Sequence, residues 1–343
     1  MMVGERDRPW GRRNWEQLLI MGSLALEMHD ISKSFPGVRA LDGVNFDCGA
    51  GEVHAICGEN GAGKSTLFKV LGGVYRPDSG TIRVSGREVS FAHPAQSRRA
   101  GVSIIHQELS LLPHRSVAQN VFLGLEPTRR GVLDRRAMRA GTTRLLERLS
   151  STIDPDIRAG ELSVAEQQIV EIAKALAVDA RILVMDEPTA ALDEVDAQRL
   201  LALVRKLRLE GVAIVYISHR MVEIAAVADR ITVMKDGRKV ETAAAADLPT
   251  DRIVRLMVGR DLADFYPPRF EKPLGLPLLV VAGGGNDRLT DIDLTVHSGE
   301  IVGVAGLEGS GKTALARALF GDRPLERGVL TVGDKILIPA PPQ

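Results

Sequence analysis

The sequence predicts an α/β fold built on a parallel sheet, and three observations predict it. First, Gly58-Glu59-Asn60-Gly61-Ala62-Gly63-Lys64-Ser65-Thr66 fits G-x-x-x-x-G-K-[ST], a loop whose backbone N–H groups wrap phosphates. Apolar Val53, Ala55, Ile56 and Cys57 lead in, and Leu67, Phe68, Val70 and Leu71 lead out, giving the strand, loop and helix that the motif requires. Second, the unbroken apolar runs 182–185 and 212–217 read as strands covered on both faces, the habit of parallel sheets. Third, residues 299–332 repeat 51–84 without a gap at an offset of 248, so the loop itself recurs.

Composition sets the outer bounds. At 343 residues, 45% hydrophobic and 26% charged, the chain is globular and large enough for one big domain or two. Lys plus Arg and Asp plus Glu are both 44, and no long basic block occurs, which argues against broad binding to nucleic acid or anionic lipid. Cys48 and Cys57 give no disulfide framework and no metal spacing, and read as small core residues. No run of about eighteen apolar residues is present to span a membrane. Arg12 and Arg13 ahead of Leu18-Leu19-Ile20-Met21 faintly suggest a secretory signal, but the apolar stretch is short and Glu16 interrupts it. Residues 1–22 are expected to be a disordered extension, with Met21 an alternative start.

From there the elements follow in order. Strands are predicted at 24–29 and 44–47 about a turn at Pro36-Gly37, and Gly49, Ala50 and Gly51 turn into the strand feeding the loop. Gly72 and Gly73 stop the helix after the loop, and 81–84 alternates like an antiparallel strand. After a short strand at 102–105 a helical pattern is expected to dominate to residue 178. Its clearest helix starts at Ser163 with Glu166 three residues on, a capping box, and buries Ile169, Ile172, Ala173 and Leu176 on one face. A helix at 200–209 follows, then a hairpin of 231–234 and 238–241 about Asp236-Gly237. Pro267, Pro268, Pro273 and Pro277 mark a semi-rigid linker over 266–277. The expected domains are therefore 23–265 and 278–343. In the second, Gly306, Gly309, Gly311, Lys312 and Thr313 stand for Gly58, Gly61, Gly63, Lys64 and Ser65.

The chemistry starts from the loop. Lys64 suits the β and γ phosphates of a nucleoside triphosphate, Ser65 offers a hydroxyl to Mg²⁺, and the helix N-terminus favours anions. Asp186 closes the apolar strand and supplies a second Mg²⁺-side oxygen, enough for an ion that keeps most of its waters. Glu187, one residue further, is placed to accept a proton from an attacking water. Two acids at a strand end are otherwise an ordinary solvated terminus. His219, after the second buried strand, is either a structural histidine or a γ-phosphate sensor.

Together these residues resemble the ATP-binding cassette (ABC) ATPases that drive ABC transporters. The resemblance implies a RecA-like parallel core, an antiparallel β subdomain and a helical subdomain over about 108–178, followed by the N-terminal part of a second cassette. It implies that Phe35 stacks on adenine, that Gln107 joins Mg²⁺ to the permease contact, and that His219 is the switch histidine. Leu162-Ser163-Val164-Ala165-Glu166-Gln167 takes the signature position, which acts on the opposing cassette, and Asp193 lies in the loop that crosses the dimer interface. Stretches 35–38, 104–109, 166–176 and 214–220, with Met257-Val258-Gly259-Arg260, are similar to the two-cassette subunits of bacterial monosaccharide importers. The implied activity is ATP hydrolysis on the cytoplasmic side of the inner membrane. The implied partners are transmembrane permease subunits, a sugar-binding protein outside, and a second nucleotide-binding domain or another copy of the chain. The stretch 109–125, with Pro113, His114 and Arg115, is the candidate permease docking surface.

Two departures from that pattern stand out. Ala165 replaces the usual signature glycine, which would strain the backbone if φ there were positive and is expected to weaken closure. The second loop has no Asp-Glu strand after it before Gln343, so the chain by itself is expected to bind ATP and hydrolyse it poorly. A hydrolysis-deficient remnant is one alternative. A soluble ABC protein acting on ribosomes or DNA is another, disfavoured by the short linker of mixed charge.

Overall fold

The computed structural model describes residues 23–258, 275–306, 309–333 and 335–337. The expectations for residues 1–22, for 266–274 of the linker, and for Gly259 and Arg260 lie outside the described residues. The chain divides into two compact units, Met1–Phe265 and Tyr266–Gln343.

The first unit opens with a long hairpin, β1 (Leu24–Phe35) and β2 (Val38–Gly49), joined through Pro36 and Gly37. Both strands run past the two short ones the pattern predicts, because several bulges let the pair twist where apolar alternation lapses. Next come β3 (Val53–Cys57), α1 (Lys64–Leu71), β4 (Ser79–Val84), β5 (Arg87–Val89), α2 (Pro94–Arg99) and β6 (Val102–Ile105). The stretch expected to be mainly helical holds α3 (Val117–Val121), a small hairpin of β7 (Thr128–Arg129) and β8 (Val132–Leu133), then α4 (Arg135–Arg148) and α5 (Val164–Leu176). Helices do dominate the stretch; the hairpin is an addition to that expectation, since Arg130 and Gly131 make a two-residue turn with both φ positive, a local signal that helical periodicity does not carry. The unit closes with β9 (Ile182–Asp186), α6 (Glu194–Leu209), β10 (Ala213–Ile217), α7 (Met221–Val227), β11 (Arg230–Lys235), β12 (Arg238–Ala244) and α8 (Thr250–Val258).

Two sheets result. The core sheet has the order β12-β11-β3-β10-β9-β6, parallel except for β12, and the second sheet is antiparallel with the order β2-β1-β4-β5. β3 and β10 are buried at every position, as unbroken apolar runs with elements on both faces should be. One face of the core sheet packs against α1 and the antiparallel sheet through Leu26, Leu41, Leu67 and Leu71. The other packs against α5 and α6 through Ile172, Leu183, Leu201 and Tyr216. His54, fully buried on β3, ties β2 to β11: its Nδ1 donates to the Asp47 carbonyl at 2.6 Å and its Nε2 lies 2.8 Å from Thr232 Oγ1. Cys48 and Cys57 are buried free thiols, and burial pushes the Cys57 thiol up to about 12.

The second unit holds β13 (Pro277–Gly285), β14 (Ile292–His297), α9 (Lys312–Phe320), β15 (Arg327–Val332) and β16 (Lys335–Leu337). Its sheet order, β14-β13-β15-β16, repeats β2-β1-β4-β5, and α9, β15 and β16 begin at the sequence offset from α1, β4 and β5. Residues 301–305, the counterpart of β3, form no strand, and Ile301 is 98% exposed. β3 is hydrogen-bonded on both sides, by β10 and β11, and no counterparts of those strands occur among the described residues of this unit. No described helix is long and apolar enough to cross a membrane.

Candidate functional site

The phosphate loop links the end of β3 to α1 and is held from behind. Gly237 N donates to the Ala62 carbonyl at 3.2 Å and Asp42 N to the Gly237 carbonyl at 2.9 Å, so β2 and the β11–β12 turn fix its base. Gly63 sits at the helix N-cap with φ 97°, and a Cβ there would stand 2.7 Å from the Ala40 carbonyl oxygen. Handedness and space both demand glycine at this position. Glu59, Asn60, Gly61 and Ser65 are exposed, Thr66 is half-buried and Ala62 is buried against the fold. The Lys64 ammonium turns back over the loop and donates to the carbonyls of Gly58 at 2.6 Å and Glu59 at 2.9 Å. Burial pushes it down from the ordinary lysine range, against the pull of the Glu187 and Asp186 carboxylates.

Those carboxylates come from the end of β9, two strands away. Asp186 is half-buried, and among the described residues nothing hydrogen-bonds its carboxylate. Burial pushes that carboxyl up and the Glu187 charge adds to it, while His106, Lys64 and Lys69 oppose. Glu187 has left the strand: its φ is 46°, and its N–H donates to the Ile217 carbonyl at 2.9 Å, pinning it to the end of β10. There it meets His219, whose Nδ1 donates to Glu187 Oε1 at 3.0 Å. The parallel pairing of β9 with β10 brings these two together across 32 residues of sequence. A desolvated, unpaired carboxylate with an exposed serine hydroxyl at the neighbouring loop is a hard-oxygen set of the kind Mg²⁺ takes.

Phe35 ends β1, half-buried, with its ring edge-on to Tyr75 at 5.1 Å between centroids. Gln107 is exposed beyond β6 and hydrogen-bonds to none of the described residues, Asp186 and Ser65 included. Ser163 caps α5: its Oγ accepts from Glu166 N at 3.3 Å and the Glu166 carboxylate accepts from Ser163 N at 2.8 Å. Leu162 is buried, its carbonyl accepts from Gln167 Nε2 at 2.9 Å, and Val164 is exposed. Ala165 lies inside α5 and is not among the positive-φ residues, so the backbone strain considered for it does not arise. Asp193 caps α6, accepting from Asp196 N at 2.8 Å. In the second unit Gly309 and Gly311 repeat the positive φ of the first loop, and Lys312 donates to the Gly306 carbonyl. A cavity of about 520 Å³ opens there, lined by Gly311, Lys312, Thr313 and also Arg288.

Sequence reasoning missed Glu223. It is buried at the start of α7 and accepts from Thr189 Oγ1 at 2.7 Å, Tyr216 OH at 3.0 Å, Ser218 Oγ at 3.1 Å and Arg220 Nη1 at 2.7 Å. Thr189 lies two residues past Glu187, and Ser218 and Arg220 flank His219. One carboxylate thus holds the backs of both loops that meet at the Glu187–His219 contact. Tyr75 and His106 were also missed; nothing in their spacing marks them.

Comparison with known proteins follows the same outline. The family described as ABC transporter matches residues 41–190 and 289–338. The ribose import ATP-binding protein RbsA 1 of Rubrobacter xylanophilus is 51% identical over 318 residues, covering 92% of this chain and 63% of that protein. The ribose import ATP-binding protein RbsA 3 of Rhizobium meliloti is 49% identical over 311 residues, covering 90% of this chain and 61% of that one. The chain therefore spans less than two thirds of the length of either relative. Among solved structures, the ADP conformation of MJ1267, an ATP-binding cassette, superposes with a TM-score of 0.62 at 26% identity, over 69% of this chain and 99% of that chain. A nucleotide-free ATP-binding cassette gives 0.60 at 25% identity, over 69% of this chain and 96% of its own.

Proposed function

This chain belongs to the ABC transporter family, and we propose that it is the ATP-binding, ATP-hydrolysing energy-coupling subunit of a monosaccharide importer of the ribose or galactose type. The observation that carries the reading is the Glu187–His219 contact at 3.0 Å, set at the strand ends in the same electrostatic field as Lys64 and Asp186. In this reading the N–H groups of residues 58–66 and the α1 N-terminus cradle the phosphates. Phe35, with Tyr75 behind it, offers its ring to the adenine. Lys64 exchanges its two loop carbonyls for β and γ phosphate oxygens, a stronger charge-assisted pairing. Ser65, Asp186 and Gln107 would hold Mg²⁺, which would supply positive charge against that of the phosphates. Glu187 takes the proton of the attacking water, and His219, oriented through Nδ1, faces the γ-phosphate.

Turnover also needs donors on the far side of the γ-phosphate. The residues proposed for this are Leu162, Ser163, Val164, Ala165, Glu166 and Gln167 of an opposing cassette, with the loop holding Asp193 between them. The opposing cassette is a second nucleotide-binding domain or another copy of this chain. The proposed setting is the cytoplasmic face of the plasma membrane, with permease subunits docked on 109–125 and a sugar-binding protein outside. The test is Mg-ATP hydrolysis by the chain with and without its cognate permease, beside Glu187→Gln. The reading expects stimulation by the permease, and expects E187Q to bind ATP without turning it over. Wild-type protein that fails to bind ATP, or E187Q that turns over normally, would overturn it.

A further inference from the structure

Residues 126–139 break two local rules within one short stretch. The β7–β8 turn places Arg130 at φ 53° and Gly131 at φ 79°, and such a turn ordinarily puts Asn, Asp or Gly first. α4 then opens on Arg135 and Arg136, with the capping Asp134 carboxylate the one acid at that helix end. Val132 stands 70% exposed on a two-stranded hairpin, with Leu133 exposed beside it. Arg129 pairs across the hairpin with Val132, so a guanidinium and an apolar branch share one face.

The charges here are not spent within the fold. Among the described residues, no hydrogen bond or ion pair engages the side chains of Arg129, Arg130, Arg135 or Arg136. Arg139, one turn further along, is by contrast held by Asp156 at 3.1 Å. The two acids of the stretch are occupied locally: Glu126 accepts from Gly124 N at 3.0 Å and Asp134 caps α4 on Ala137 N at 3.0 Å. A sequence that accepts backbone strain, unpaired guanidinium groups and an exposed apolar group in one place is keeping them for something outside the chain.

We propose that this basic, apolar-tipped hairpin is a docking finger for an anionic phospholipid surface. Guanidinium groups match phosphate oxygens two at a time, and exposed Val and Leu side chains enter the boundary between headgroups and acyl chains. Neither signal alone anchors a protein firmly, whereas the two together do. With zero net charge on the whole chain, the attraction is local and orients the protein.

Sedimentation of the full chain with mixed phosphatidylglycerol–phosphatidylcholine vesicles, against phosphatidylcholine alone, tests it. Each arginine near an anionic surface changes partitioning about five-fold. The wild type is expected on the anionic vesicles only, less so as salt rises. The variant R129Q/R130Q/R135Q/R136Q should lose at least about a hundred-fold in partitioning with its melting temperature kept. V132S should lose a smaller, salt-insensitive factor. Undiminished partitioning of the quadruple variant, or equal binding to both vesicle types, overturns the proposal. So does binding to neither, the result expected if the patch serves an acidic protein.

Discussion

Glu223→Gln removes one charge from beneath the candidate site, and its cost follows from the donors left behind. The Glu223 side chain is 6% exposed, and its two oxygens accept from Thr189, Tyr216, Ser218 and Arg220. An amide offers one acceptor oxygen and adds two N–H donors to a set that is already all donors. Arg220 is 43% exposed and rehydrates, but the Thr189, Tyr216 and Ser218 hydroxyls belong to buried residues. If the amide oxygen keeps one of the three, two hydroxyls are orphaned at about 1–3 kcal/mol each. The expected loss is about 3–5 kcal/mol, in line with removing one partner from a buried charged cluster. At about 2–4 °C per kcal/mol for a unit of this size, the melting temperature falls by roughly 10 °C. Burial pushes the Glu223 carboxyl up, but the bonds from Thr189, Arg220, Tyr216 and Ser218 outweigh it and hold it below 4.5. Its stabilisation is therefore complete above about pH 4.5 and lost as pH falls through the folded value, so the gap between wild type and variant closes in acid. Thermal melts at neutral and acid pH measure both effects. A variant melting within about 2 °C of wild type at neutral pH would refute the reasoning.

Other sites give sharper local tests. Gly63→Ala forces φ 97° on a residue with a Cβ and drives it toward the Ala40 carbonyl; calorimetric titration should show ATP binding weakened at least about tenfold, and unchanged affinity would remove the loop from the site. Asp186→Asn relieves a carboxylate that burial and Glu187 disfavour, so it should melt higher than wild type at neutral pH, lose that gain below about pH 3.8, and no longer bind ATP more tightly with Mg²⁺; a lower melting temperature contradicts this. Burial, helped by the Arg230 charge, pushes His54 down to about 4 from 6.5, so its contribution is complete above pH 6.5 and about 3 kcal/mol is lost as pH falls toward 4. His54→Gln should flatten the acid limb of stability in denaturant melts across that range, and an unchanged slope would count against it. Ala165→Gly has no backbone strain to relieve, so if the proposed signature faces an opposing cassette, loss of the methyl should raise the ATPase rate of the assembled cassettes; an unchanged rate would show that the methyl does not hinder closure.

What the sequence determined alone was whatever short-range pattern enforces. The glycine spacing of 58–66 and its echo at 306–313, the buried runs of β9 and β10, and the Ser163 capping box are each dictated within a few residues, where handedness, periodicity and hydrogen-bond reach decide the outcome. Tertiary structure decided what depends on distant strands lying side by side. The β9–β10 register brings Glu187 to His219 across 32 residues, and the same register gathers three donors from two loops and Tyr216 of β10 onto Glu223, a residue no motif marks. It also separates the two copies of the repeat: 53–57 is a central strand because β10 and β11 flank it, while 301–305 has the same apolar character but no described strand beside it. A sequence states which residues can form a strand. Whether they do depends on the neighbours that accept their hydrogen bonds.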